Sequence, residues 1–123
     1  MEEVDRLVEL ENLLFDNALN EVRLAGELKL GRCYVIGLPA VAYALVRPDG
    51  HLLDLMRLGV LPIYQGEGLG RRLLEHVLGL GKRVVLTVRK DNLRAKRMYL
   101  LAGFTCVGVL PLGDALVMSS PCP

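Results

Sequence analysis

The residues best suited to chemistry form a Gly-rich stretch after an apolar run. The run ends at Leu58-Gly59-Val60, and Pro62 prevents it from continuing as a central strand. Leucines at helical spacing begin soon after the glycines, so the pattern predicts strand, turn and helix N-terminus. Such a turn can bind an anion, because the first-turn N–H groups are free, the helix dipole is positive there, and glycines without Cβ atoms allow close approach. The alternative is a connection whose glycines serve only the turn.

The wider pattern resembles the pyrophosphate loop of the GNAT N-acetyltransferases. The core of that loop is Gln/Arg-x-x-Gly-x-Gly/Ala, and the matching stretch here is Gln65-Gly66-Glu67-Gly68-Leu69-Gly70. A second segment, from Leu86 to Asn92 and on through Ala95, Tyr99 and Gly103-Phe104, is similar to the family's following strand and helix. The two matches come in the family's order and cover His51 to Val109.

The resemblance implies that acetyl-CoA is the co-substrate and that this half of the chain binds it. The backbone of Leu58, Gly59 and Val60 would hydrogen-bond pantetheine where the strand splays from its parallel neighbour, and would polarise the thioester carbonyl. Gly59 would permit a bulge there. The loop would hold the pyrophosphate, with two arginines beside the phosphates. The residues so assigned to the loop are Gln65, Gly66, Glu67, Gly68, Leu69, Gly70, Arg71 and Arg72.

Three residues of the second segment, Asn92, Ala95 and Tyr99, are spaced to share one helix face. The resemblance gives Asn92 a cofactor hydrogen bond, lets Ala95 provide room, and places the Tyr99 hydroxyl where it would protonate the departing thiolate. A tyrosine packed on the core is the alternative. We expect Met98, Leu100 and Leu101 to supply the core contacts, which leaves Tyr99 available for catalysis.

The general base has two candidate positions. The second segment is most similar to the ribosomal-protein alanine N-acetyltransferases, whose strand reads Leu-Glu-Val-Arg with the glutamate as base. Here Thr87 occupies that position and cannot accept a proton at neutral pH. Other family members place a glutamate eleven residues before the Gln/Arg of the loop, where this chain has Asp54. Asp54 would act through a water with a pKa raised by burial, or would pair with Arg47 or Arg57 and be structural.

Composition limits the remaining possibilities. The 123 residues predict a single GNAT-like domain over 1–123, and a net charge of +1 gives no reason to expect nucleic acid or a membrane as partner. The three cysteines lack Cys-x-x-Cys spacing, and we expect no metal, with Cys33 and Cys106 in the core. The acidic N-terminus does not resemble a signal peptide, which predicts a cytoplasmic protein.

The elements that must position these residues predict an α/β (α+β) fold. An N-terminal amphipathic helix either continues to about Leu24 or splits near Asp16-Asn17, and Gly26 and Gly31 mark a loop. Three strands, a helix, a strand, a helix and two strands follow. We expect a minimal GNAT fold with a mixed, mostly antiparallel sheet and helices on both faces. The family's first strand has no counterpart before the first helix, and an uncovered sheet edge would favour a homodimer.

These observations predict an N-acetyltransferase that moves an acetyl group from acetyl-CoA to a primary amine by direct attack. The amine is a small molecule or a peptide N-terminus, the latter favoured only by the second segment. A non-catalytic acyl-CoA-binding or assembly module is the alternative on the same fold. A Rossmann unit is disfavoured because its Gly-x-Gly-x-x-Gly pattern would require glycine where Arg71 or Leu73 stands.

Overall fold

The structure is a computed structural model that describes residues 2–121. Within that range the chain forms four α-helices, six strands and a short 3₁₀ turn over Pro62–Tyr64. The helices are α1 (Glu2–Leu14), α2 (Glu21–Leu30), α3 (Leu69–Leu78) and α4 (Leu93–Leu101). The strands are β1 (Arg32–Ile36), β2 (Ala42–Asp49), β3 (Leu52–Val60), β4 (Arg83–Arg89), β5 (Thr105–Val109) and β6 (Ala115–Ser119).

The six strands form one mixed sheet in the order β1-β2-β3-β4-β6-β5. Among the described residues, β3 and β4 are the only parallel neighbours, and α3 makes the crossover between them. The other neighbours are antiparallel, as expected for strands joined by short turns. The predicted fold class, a mostly antiparallel sheet with helices on both faces, is confirmed.

Two apolar cores lie on opposite faces of the sheet. On one face, residues such as Leu74 and Val77 of α3 and Tyr99 of α4 pack against alternate residues of the central strands. On the other, Leu7 of α1 and Leu24 of α2 pack against Tyr43 and Leu45 of β2. This alternation follows from the period-two side-chain direction of a strand and fixes which residues of β3 face each layer.

A β-bulge at Met56 changes that alternation along β3. Leu45 of β2 pairs with Arg57, but the next residue, Val46, pairs with Leu55, so Met56 is the extra residue. Beyond the bulge, Leu58 and Val60 face the α3/α4 layer together with Leu53 and Leu55. Without the extra residue, Leu58 and Val60 would face α1.

The bulge that we expected at Gly59 is therefore misplaced, and that prediction was wrong. Gly59 lies in regular register opposite Tyr43. A Cβ atom at Gly59 would lie 2.8 Å from Leu14 Cδ1 and 3.1 Å from Tyr43 Cε1. The glycine serves close packing of the C-terminal end of α1 against the sheet rather than irregular backbone.

Three further expectations about the elements are settled by the structure. The N-terminal helix splits, with α2 beginning after Asn20, whose side chain accepts a hydrogen bond from the Arg23 N–H. Gly26 lies inside α2 rather than in a loop, because α2 is held by packing that overrides a glycine's weak helix propensity. Cys106 is exposed on the edge strand β5 and not in the core, whereas Cys33 is half-buried.

Candidate active site

The site begins where the two parallel strands separate. β3 and β4 pair only over Leu52–Asp54 and Arg83–Val85, and no further Cα partners join the described parts of these strands. The later residues of β3 thus keep β2 on one side and open space on the other. A cavity of about 400 Å³ occupies this side of the sheet, between the end of β3, the Gly-rich turn and α4.

The Gly-rich turn forms one end of the cavity. Gly66 and Gly68 have φ values of +88° and +81°, and a Cβ at either would meet no other atom within 4 Å. Gly68 is the N-cap of α3 and has no side-chain cap, and the Arg72 N–H donates to its carbonyl at 3.0 Å. By helix geometry, the preceding N–H groups point out of the helix end toward this open space. The predicted Gly-rich turn at a helix N-terminus is present, and anion binding at it stays a prediction.

Most of the residues predicted to bind the cofactor line this cavity. They are Leu58, Val60, Gln65, Gly66, Gly68, Leu69, Gly70, Arg71 and Asn92. Gly59 faces α1 instead, and Glu67 is exposed outside the lining. The Arg71 side chain is largely exposed and pairs with Glu75 at 3.0 Å, so its charge is partly neutralised by its own helix.

Gln65 joins the end of β3 to α4. Its Nε2 donates to the Val60 carbonyl at 3.0 Å, and its Oε1 accepts from Arg94 Nη1 at 2.8 Å. Arg94 lines the cavity beside Asn92, and sequence reasoning did not select it. The signal that could have found it is its position in the first turn of α4, on the same side as Asn92.

The helix face predicted for α4 lies along the cavity. Asn92 is the N-cap of α4 and accepts from the Ala95 N–H at 3.2 Å, and Ala95, Met98 and Tyr99 all line the cavity. Met98 is the second residue that sequence reasoning did not assign to the site. The signal that could have found it is its spacing, since a residue three positions after Ala95 lies on the same helix face.

Tyr99 is buried, with 7% of its surface exposed, and packs on Phe104 at 5.6 Å between ring centroids. The expectation that Leu100 and Leu101 supply the core contacts was wrong, because both are exposed, and Tyr99 itself belongs to the core. Burial raises the pKa of Tyr99 to about 12, so its hydroxyl stays protonated at neutral pH. Within residues 2–121, no hydrogen bond from that hydroxyl to another side chain or carbonyl is found. The ring is a core element, and the side chain also lines the cavity.

Asp54 does not join the cavity. It lies in the paired part of β3, opposite Arg47 of β2, and four residues before Leu58. Partial burial raises its pKa, the charge of Asp49 raises it further, and Arg47 lowers it. Thr87, at the other position considered for a base, is exposed on β4 opposite Val117. Asp54, unlike Tyr99, therefore does not line the cavity, and its role as general base stays a prediction.

Comparison with known proteins identifies the family. Residues 8–104 match the model of the acetyltransferase (GNAT) family, which is well over half of the chain. The chain belongs to the GNAT acetyltransferase family. Within this family, it is 48% identical over 58 residues to the N-alpha-acetyltransferase RimI of Mycobacterium tuberculosis, a match that covers 46% of this chain and 37% of RimI. The chain spans about a third of the length of the curated relatives it matches.

Solved structures share the GNAT fold over nearly the whole chain. The ribosomal-protein-S18-alanine N-acetyltransferase of Escherichia coli superposes with a TM-score of 0.83 at 23% identity, covering 98% of this chain and 88% of that one. Arabidopsis thaliana Naa50, in complex with the bisubstrate analogue CoA-Ac-MVNAL, gives 0.82 at 24% identity, covering 98% and 93%. At these identities the likeness shows the fold.

The part of the chain that the structure describes contains neither a membrane-spanning helix nor a metal-binding cluster. None of its helices is long and apolar enough to cross a membrane. No group of three or more His, Cys, Asp or Glu side chains is placed to hold a metal ion.

Proposed function

We propose that this GNAT domain is an N-acetyltransferase that uses acetyl-CoA to acetylate a primary amine, with peptide N-termini as the first substrate class. The observation that carries the proposal is the cavity bounded by the unpaired end of β3, the Gly-rich turn and α4. It joins open strand backbone, an uncapped helix N-terminus and a tyrosine side chain within one space of about 400 Å³. A turn that served only to connect strand and helix would not need the other two features.

The residues present fit acetyl-CoA, which when bound would supply the acetyl group as a thioester. Gly66, Gly68 and the first turn of α3 offer N–H groups to a pyrophosphate, and Arg94 lies beside them. The unpaired side of Leu58 and Val60 offers backbone groups to an extended amide chain, as a neighbouring strand would. The same backbone can stabilise negative charge on a carbonyl oxygen.

Tyr99 is proposed as the group that stabilises the departing thiolate. Its ring packs on Phe104 and its side chain lines the cavity, so little motion would be needed to present the hydroxyl proton. Its raised pKa keeps that proton on the oxygen at the pH where the amine reacts. Asn92, which caps α4, would fix the helix that carries Tyr99 and offer its amide to the cofactor.

Peptide N-termini are favoured as substrates by the names of similar proteins and by the pKa of the α-amino group. The M. tuberculosis relative is named an N-alpha-acetyltransferase, and the E. coli neighbour is named a ribosomal-protein-S18-alanine N-acetyltransferase. An α-amino group has a pKa near 7.7–8.0, against about 10.4 for lysine, so a sizeable share of N-termini is already neutral near pH 7.5. Such an amine needs less help from a base, which suits a site where Asp54 lies outside the cavity.

The second candidate is a non-catalytic acyl-CoA-binding module. The exposed Thr87, at the position of the glutamate base of the alanine N-acetyltransferases, is the observation in its favour. The two candidates agree on cofactor binding and differ on turnover.

The test is calorimetric titration with acetyl-CoA, followed by release of the CoA thiol over a panel of N-terminal peptides and small amines. Gly68→Trp should abolish binding by filling the space over the turn. Gly81→Trp is the matched control, because Gly81 has a similar φ of +83° and equally open surroundings but lies outside the cavity. Binding lost only in Gly68→Trp, with turnover on a peptide, is the expected result. Binding without turnover on any amine favours the module, and no binding by the wild type refutes both.

A further inference from the structure

A buried carboxylate lies on the opposite face of β3 from the cavity. Glu11 of α1 has no exposed surface and accepts three hydrogen bonds. Its Oε2 accepts from the Tyr43 hydroxyl, and its Oε1 accepts from the Leu19 N–H at 2.8 Å and from Arg57 Nε at 3.2 Å. Burial of a charge is costly unless it is fully hydrogen-bonded, so this arrangement calls for a reason.

Arg57 extends this network to the connection between α1 and α2, here called the 15–19 loop. Besides Glu11, its guanidinium donates to the Asn17 carbonyl at 2.8 Å and lies 4.5 Å from the centre of the Phe15 ring. With the Leu19 N–H bound to Glu11, three positions of the loop are held by two side chains. The loop is thus fastened to β3 by specific contacts instead of by general packing.

Arg57 holds the loop at a position beside the gap where β3 and β4 separate. Arg57 directly follows the Met56 bulge and precedes Leu58, where β3 begins to line the cavity. The loop also lies against the unpaired end of β3, since a Cβ atom at Gly59 would lie 3.6 Å from Phe15 Cε2. The loop therefore borders the gap between β3 and β4 on the face opposite α3.

We propose that Glu11 and Arg57 are positioning residues for the amine substrate. By holding the 15–19 loop at the gap, they fix one wall of the path by which an amine reaches a thioester bound on the other face. Neither side chain touches the cavity, so both act through the loop. The assignment rests on the proposed acetyltransferase function and deepens it, since the cofactor side and the amine side would be controlled by different residues.

A role in stability alone is the competing explanation, since removing one partner of a buried charge pair is usually destabilising. The two explanations differ in what else changes. A stability role predicts that any comparable loss of stability has the same effect on catalysis. Positioning predicts a rise in the KM for the amine while the Kd for acetyl-CoA is kept, because Leu58, Val60 and the Gly-rich turn are untouched.

The experiment compares Arg57→Met, Arg57→Lys and Glu11→Gln with the wild type. The measured quantities are the acetyl-CoA Kd by calorimetry, kcat and KM for an N-terminal peptide, and Tm. Leu24→Ala is the matched control, because Leu24 is fully buried in the core on the same face of the sheet. Among the described residues, no hydrogen bond joins Leu24 to Glu11 or Arg57. Arg57 is partly exposed, so its variants are expected to fold even if Glu11→Gln does not.

For Arg57→Met we expect the amine KM to rise about tenfold or more, with the acetyl-CoA Kd changed less than threefold. Arg57→Lys should recover part of that loss, and Leu24→Ala should lower Tm without raising KM. An Arg57→Met enzyme with a KM within threefold of wild type overturns the assignment, as does a parallel rise in Kd. If the wild type binds acetyl-CoA but turns over no amine, the proposed function fails and this assignment fails with it.

Discussion

Replacement of Tyr99 by phenylalanine tests the chemistry of the site most directly. The pKa of Tyr99 is about 12, and that of a free thiol is about 8.5, so complete proton transfer to a thiolate is uphill by about 3.5 units or roughly 5 kcal/mol. The hydroxyl is therefore expected to act mainly as a hydrogen-bond donor to developing negative charge. A hydrogen bond to a charged group contributes about 1.5–3 kcal/mol, which corresponds to roughly 10- to 150-fold in rate.

Tyr99→Phe should accordingly lower kcat by roughly 10- to 150-fold while the acetyl-CoA Kd stays within about twofold. Stability should change little, because the ring keeps its contact with Phe104 and no internal hydrogen bond of the hydroxyl is found in the described range. The assay is thiol release at saturating substrates, with calorimetry and thermal unfolding on the same samples. Tyr34→Phe is the control, since Tyr34 of β1 packs against His76 of α3, away from the cavity.

A fall in kcat below about threefold would refute the assignment of the hydroxyl to the thiolate. A fall accompanied by an equal loss of acetyl-CoA affinity would refute it in another way, by showing that Tyr99 shapes the cavity only. The pH profile supplies a further check. Since the pKa of Tyr99 is about 12, deprotonation of this residue should not reduce activity between pH 7 and pH 10.

Two further predictions concern β3. Asp54→Asn should leave kcat within about twofold if Asp54 is structural, whereas loss of activity by two orders of magnitude would restore it as the general base. Because the pKa of Asp54 is raised in the folded protein, its ionisation costs stability as the pH rises above the ordinary value of 3.8 and through the folded pKa. Asp54→Asn should therefore be as stable as the wild type or more stable at pH 7, and the difference should vanish below pH 3.8. Urea unfolding at pH 7 and pH 3.5 would measure it. Gly59→Ala should destabilise the fold by about 1–3 kcal/mol through contact with Leu14 and Tyr43, and an unchanged Tm would show that α1 moves without cost.

The local parts of the site could be predicted from the sequence because their causes are local. The glycines of the turn and the Asn92 cap act through the backbone within a few residues, and the structure places them as expected. The bulge could not be predicted, because Met56 is extra only relative to the register of β2. Pairing between strands decides such a feature, and no residue in β3 signals it.

The Glu11–Arg57 contact was missed for a similar reason, since its partners lie 46 residues apart. One signal was nevertheless present. Glu11 follows Val4 and Leu7 at helical spacing, on the apolar side of α1, where a carboxylate is out of place unless it is paired. The homodimer stays a prediction.

The short contact between β3 and β4 has a consequence for how long each molecule stays folded. These strands share three residue pairs, whereas β2 and β3 share eight and β4 and β6 share five, so the sheet is weakest at its middle. A molecule bound along the open edge of β3 would make hydrogen bonds and contacts there that β4 does not make. Any ligand at a hundred times its Kd adds about 2.7 kcal/mol to the free energy of unfolding. If acetyl-CoA is the co-substrate as proposed, the amount of this protein that survives proteolysis in a cell would then follow the supply of acetyl-CoA.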